Sequence, residues 1–328
     1  FITTRVSSFP FASGTLSSVY ASHSTASVKR SAPALGSTTC GVNWYFSTCS
    51  AGPNWSRQDD WIGAMATSGL RPDFLLGWSA LWASSVPGTE FAPPTSTADF
   101  AAYVAEAARR YGVGGTFWAE HPEIPARPVR VYEIWNEQNM TWWWRPGPDP
   151  AGYADLYLAA RQAIKAVDPT AAVIVGGLAT TTITDWNQMR DTDFVRGMYA
   201  ARPDLIGNVD GVGYHPYSTV PSATAVFERV RAMRNALVSV GAGGVPLYLN
   251  EMGWPTKAGA DELVRATAMR EAVEELAYSN CGVRNVAPYT WISSEQNLVD
   301  PVDWMGIANR DATLRPTAEA YSEVAKRL

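Results

Sequence analysis

Val131-Tyr-Glu-Ile-Trp-Asn-Glu137 decides the fold. Tyr132, Ile134 and Trp135 make it an apolar run of strand length, and it delivers an amide and a carboxylic acid to its C-terminal end. The following loop carries Trp142, Trp143 and Trp144. A second run of the same kind, Pro246-Leu-Tyr-Leu-Asn-Glu251, is followed by Met252-Gly253-Trp254. Two strand-end glutamates, each beside an asparagine and tryptophans, are suited to glycoside hydrolysis, which uses two carboxyl groups flanking one bond.

Outward from these strands the pattern alternates. Expected strands cover Thr39–Trp44, Asp73–Trp78, Ala171–Gly177, Val209–His215 and Asn285–Trp291. Amphipathic helices fall between them. Asp59 to Ser68 is one, with Trp61, Ile62 and Met65 turned inward. Another opens at Asp149 as N-cap with Pro150 in its first turn, and turns Tyr153, Leu156, Tyr157, Ala160 and Ile164 inward. Others follow Thr97, Asp193, Ser222, Asp261 and Thr317. Repeated β-α units over this length predict a (β/α)8 TIM barrel, whose site forms at the C-terminal ends of the strands. The open doubly wound alternative would need a glycine-rich phosphate turn, and neither G-x-G-x-x-G nor a Walker sequence occurs.

Residues 1–37 are rich in Ser, Thr and Ala, without helical periodicity or a continuous apolar core, so they are expected to be a leader remnant or arm. The barrel domain is expected over 38–328. The 328 residues, 46% hydrophobic and with a net charge of −5, can bury a large core but give no basic footprint for nucleic acid or anionic membrane. No apolar run is long enough to span a bilayer. Cys40, Cys49 and Cys281 match no metal spacing, and an odd number leaves at least one unpaired in a monomer. Buried thiols and a single disulfide in an exported protein both fit. The absence of H-E-x-x-H and G-x-S-x-G removes support for zinc and serine hydrolase chemistry.

Buried strand-end acids are expensive, and a single one often pairs with an arginine or caps a helix. Two in the same Asn-Glu and Trp context favour catalysis. His215 also ends a strand, with Tyr217 two residues on. Trp78 and Trp291 end strands too, and could floor a sugar site or plug the core. Trp142–Trp144 cannot all be buried on one side of a loop, which puts one of them at the cleft.

Together, Tyr132-Glu-Ile-Trp-Asn-Glu137-Gln-Asn139, His215-Pro-Tyr217, Leu249-Asn-Glu251-Met-Gly-Trp254 and Trp291 resemble clan A glycoside hydrolases, most closely family 39-like and family 5-like barrels including bacterial endoglycosidases. The resemblance implies a retaining enzyme cleaving β-glycosidic bonds in an oligo- or polysaccharide. Glu137, ending barrel strand four, would be the acid/base, and Glu251, ending strand seven, the nucleophile. Asn136 would bind the substrate 2-hydroxyl, Tyr217 hold the nucleophile, and His215 support the site. Trp291 would stack under the sugar, with Trp254, Trp78, Trp142 and Asn43 as further substrate contacts. No metal or cofactor is implied, and a secreted monomer is expected.

The sequence departs from that pattern at Gly69-Leu-Arg-Pro72, which joins a helix directly to a strand where such barrels insert a second strand, bearing an arginine, and a helix. A gap or distorted wall is expected there, because parallel neighbours need a crossover of roughly a dozen residues. A non-catalytic carbohydrate-binding barrel and a transglycosylase using the same residues are the alternatives.

Overall fold

The computed structural model describes residues 2–6, 55–256, 261–297 and 299–328. Its sheet runs β1 (Ile2–Val6), β2 (Pro72–Leu76), β3 (Val131–Asn136), β4 (Ala172–Ala179), β5 (Val212–His215), β6 (Leu247–Met252) and β7 (Val283–Pro288), in that spatial order. β2 to β7 are parallel; β1 pairs antiparallel with β2. Six parallel strands with alternating helices make a half-barrel, an incomplete form of (β/α)8. Were Glu137 to end the fourth barrel strand, as the family resemblance implies, β2 to β7 would hold places three to eight.

The short joint behaves as its length requires. α1 (Ser56–Thr67) ends through Gly69, whose φ of 79° closes the helix, and the chain enters β2 three residues later. Among the described residues no parallel strand follows on the outer side of β2. That edge is taken by β1, a β-branched Ile-Thr-Thr-Arg-Val run inside the segment expected to be an arm. The expected strand at 39–44, and with it Asn43, Cys40 and Cys49, lies outside the described residues. Cys281 is a buried free thiol. No described helix is long and apolar enough to cross a membrane.

The helices cover one face of the sheet. α2 (Thr97–Tyr111) buries Phe100, Tyr103, Val104, Ala107 and Tyr111, and α3 (Thr116–Glu120), which periodicity did not reveal, packs Phe117 against Tyr111. α4 (Pro150–Val167) starts as expected: the Asp149 carboxylate accepts from the backbone N–H groups of Ala151 and Gly152 at 3.1 and 3.0 Å. Each fully buried aromatic or aliphatic side chain on these stripes contributes about 1.5–3 kcal/mol. α5 (Asp191–Ala201), α6 (Ala223–Ser239), α7 (Glu262–Tyr278) and α8 (Pro316–Arg327) continue the layer. Trp61, expected inward, is half-buried on α1 under the Arg57 guanidinium, 4.5 Å from the ring centroid; Gln58, Ile62, Gly63 and Ala66 are the buried residues of that helix, with Met65 half-buried against the core.

One irregularity of this packing lifts the site. The β3–β4 ladder skips Trp135, whose φ is 69°, and resumes at Asn136. Tyr153 of α4 bridges the break: its hydroxyl donates to the Ile134 carbonyl at 2.7 Å and accepts from the Gly176 N–H at 2.8 Å. Gly176 is required opposite, because a Cβ there would meet the Trp135 carbonyl oxygen at 2.3 Å.

Candidate active site

Glu137 leaves β3 with a φ of 47°, a left-handed conformation that disfavours side chains other than Gly, Asn and Asp. Its N–H donates to the Gly177 carbonyl at 2.8 Å and its own carbonyl accepts from Met140 at 2.9 Å. The next two side chains lock the turn. Gln138 donates to the Gly176 carbonyl at 3.0 Å. The buried Asn139 amide accepts from the N–H of Ala179 at 2.9 Å and donates to that residue's carbonyl at 2.8 Å.

Glu137 on β3, His215 on β5 and Glu251 on β6 converge over the strand ends. His215 Nδ1 lies 2.9 Å from Glu137 Oε1 and 3.5 Å from Glu251 Oε2. One oxygen of each glutamate and the histidine nitrogen all fall within 4.8 Å of one another. The Tyr217 hydroxyl donates to Glu251 Oε2 at 2.9 Å, and Tyr289 sets its ring edge-on to Tyr217 at 6.4 Å. His215 is fully buried, whereas the glutamate side chains keep 18% and 14% exposure, so a ligand can reach the acids but not the imidazole. The same three groups are close enough to share a cation.

The other predicted residues divide. Asn136 lies buried one residue before Glu137, and Trp291 is half-buried in the loop after β7, because the strand ends at Pro288 rather than at the tryptophan. Trp142 is 47% exposed. Trp254 is a correction. Trp254 is buried, with its indole N–H donating to Ser218 Oγ at 2.8 Å. Trp78 is buried against Trp135 and Trp143. Trp254, 1% exposed, offers no ring face to a sugar.

Sequence reading missed Gly177 and Glu133. A Cβ on Gly177 would sit 2.0 Å from His215 Nε2, so only glycine admits the imidazole. Glu133, buried inside the barrel, accepts from the Gly177 N–H at 2.8 Å. The Gly176-Gly177 pair inside a buried strand was the available signal, since glycine there marks close approach.

No protein-family model matches the chain, and no curated protein matches it by sequence. Solved structures do match. A monomeric β-xylosidase from Caulobacter crescentus CB15 aligns with a TM-score of 0.62 at 21% identity, over 83% of this chain and 56% of its own. The GH39 enzyme from Xanthomonas axonopodis pv. citri gives 0.62 at 18%, over 84% and 55%. A glucosidase from Croceicoccus marinus gives 0.64 at 18%, over 84% and 54%. The fold is therefore that of the GH39-like clan A barrels. This chain spans about half the length of those structures.

Proposed function

We propose that this chain is a retaining glycoside hydrolase acting on β-linked glycans. The observation that carries the reading is the facing pair: Glu137 and Glu251 come from strands separated by two others, yet bring carboxylate oxygens within 4.8 Å. Retention needs carboxyl groups about 5–5.5 Å apart, whereas inversion leaves roughly 6.5–9.5 Å for a water. A nearest-oxygen approach within 4.8 Å is compatible with the closer spacing that double displacement uses.

In that reaction Glu251 attacks the anomeric carbon and Glu137, protonated, gives its proton to the departing oxygen. Glu137 then takes a proton from the water that breaks the glycosyl ester. Tyr217 holds one nucleophile oxygen so that the other points at the sugar, and His215 orients Glu137. These steps route nothing through a metal. The rest of the reading is an extracellular, monomeric protein with a carbohydrate substrate. GH39-like neighbours support the chemistry; the antiparallel β1 on the β2 edge, where no parallel strand follows among the described residues, favours the alternative of a barrel that binds glycan without cutting it.

Azide rescue tests the reading. With an aryl β-glycoside bearing a good leaving group, Glu137→Ala should accumulate glycosyl-enzyme and, with azide, yield the β-glycosyl azide. Glu251→Ala should lose activity by several orders of magnitude and yield the α-azide. Swapped configurations reverse the two roles; two mutants as fast as wild type remove the site. Products longer than the substrate assign transfer instead.

A further inference from the structure

On two loops joined to the Glu137 turn, two tryptophans stand in solvent. Trp186 is 80% exposed and Trp142 47%. They belong to the loops after β4 and β3, which are joined: the Thr141 N–H donates to the Asn187 carbonyl at 2.7 Å, Thr141 Oγ1 to the Trp186 carbonyl at 3.0 Å, and Met140 bridges Gln188. The same strip reaches Glu137 through the Met140 N–H on its carbonyl. The Trp186 turn is itself braced, because the Asp185 carboxylate accepts from the N–H groups of Asn187 and Gln188 at 2.8 and 3.1 Å. Such a turn presents its indole at little conformational cost on binding.

We infer that the Trp142–Trp186 loop pair is an aromatic platform for the leaving-group side of a neutral β-linked polysaccharide, so that the site cuts within chains. The inference rests on the glycosidase reading above and adds the substrate class. An indole face matches the C–H face of a pyranose, and the exposed Thr182, Thr184 and Asp185 beside it offer partners for equatorial hydroxyls. At the Trp186 turn, charge argues for a neutral polymer: Arg190 is folded back onto the Thr182 carbonyl at 3.0 and 2.8 Å and lies beside Asp193. Position argues for the leaving-group side, because the platform grows from the loop that carries the proton donor to the departing oxygen. A polymer occupying it extends past the cleaved bond by more than one sugar, which an enzyme trimming only single-sugar aglycones would not use.

The test separates binding from cleavage. Full-length Glu251→Gln protein is run in native gels containing water-soluble β-1,4-xylan, mixed-linkage β-glucan or β-1,4-galactan. At least one polymer should retard it. Trp186→Ala in that background should weaken binding about five- to tenfold and the Trp142→Ala/Trp186→Ala double variant further, while Trp186→Tyr, which keeps a ring, stays within about twofold. The platform is overturned if no polymer retards the protein, if the alanine variants bind like the parent, or if tyrosine fails as badly as alanine. It is equally overturned if the tryptophans serve only sedimentation with phosphatidylglycerol vesicles. Ring-dependent retardation by a wild-type protein that releases no sugar from polymer or aryl glycoside would keep the platform and sink the hydrolase reading. Cleavage of an aryl glycoside without polymer binding would do the reverse.

Discussion

Gly177→Ala tests the site through a residue that touches no substrate. The added methyl would stand 2.0 Å from His215 Nε2, 2.6 Å from Cδ2 and 2.8 Å from Cε1. Ordinary contact begins near 3.4 Å, so the buried ring must retreat by about 1.4 Å, or β4 must move by as much. Either motion exceeds what the 2.9 Å bond to Glu137 can absorb. A misplacement of about 1 Å near reacting groups costs on the order of a hundredfold in rate, and overpacking of this kind about 1–3 kcal/mol of stability. The assay is kcat on an aryl β-glycoside beside urea unfolding. Turnover should fall about a hundredfold in a folded protein. His215→Ala should relieve the stability cost, since it removes the ring that the methyl strikes, and a double-mutant cycle measures that coupling. Wild-type turnover in Gly177→Ala, or a stability penalty indifferent to His215→Ala, would refute the reasoning.

Tyr217→Phe deletes the donor to Glu251 and should lower kcat/KM by about ten- to a hundredfold, the value of a hydrogen bond to a charged group, with unfolding unchanged within error. Arg265→Met should cost about 3–5 kcal/mol in urea. Its buried guanidinium serves the carbonyls of Trp254, Met305 and Gly306 as well as Glu262 and Thr317, all of which would lose a donor. Burial would raise the Asp210 carboxyl, but hydrogen bonds from Arg161, the Val173 N–H and Lys165 outweigh it and hold the group below its ordinary value. That stabilisation is complete above the unfolded pKa of about 3.9 and is lost as pH falls through the depressed folded value. Arg161→Met should therefore be destabilised at pH 7 and approach wild type in acid; an equal gap at both pH values would contradict it.

Particular residues show how far sequence reading reached. The strand ending at Glu137 and the helix opening at Asp149-Pro150 are local features, written in a hydrophobic run and in cap chemistry, and both were legible. So was the cramped joint at Gly69–Pro72, because crossover length is arithmetic. Pairing beyond the joint was not legible: nothing local in Ile2–Val6 states which edge it will join or in which direction. Trp254 misled for a related reason. Three residues past a strand-end acid, a tryptophan can face either the cleft or the wall, and only the position of Ser218 decides. His215 was placed at a strand end by pattern, but its contact with both acids depends on Gly177 of the neighbouring strand; the glycine pair signals a close approach without saying which side chain approaches.

The left-handed backbone at Glu137 sets stability against function at one position. Side chains other than Gly, Asn and Asp are disfavoured there by about 1–2 kcal/mol, so under the proposed mechanism the turn itself would be more comfortable with glycine or asparagine, neither of which can donate a proton to a leaving group. Repeated selection for heat resistance, without a screen for sugar release, would accumulate glycine or asparagine at 137. The sturdiest descendants of such an experiment would be the inert ones.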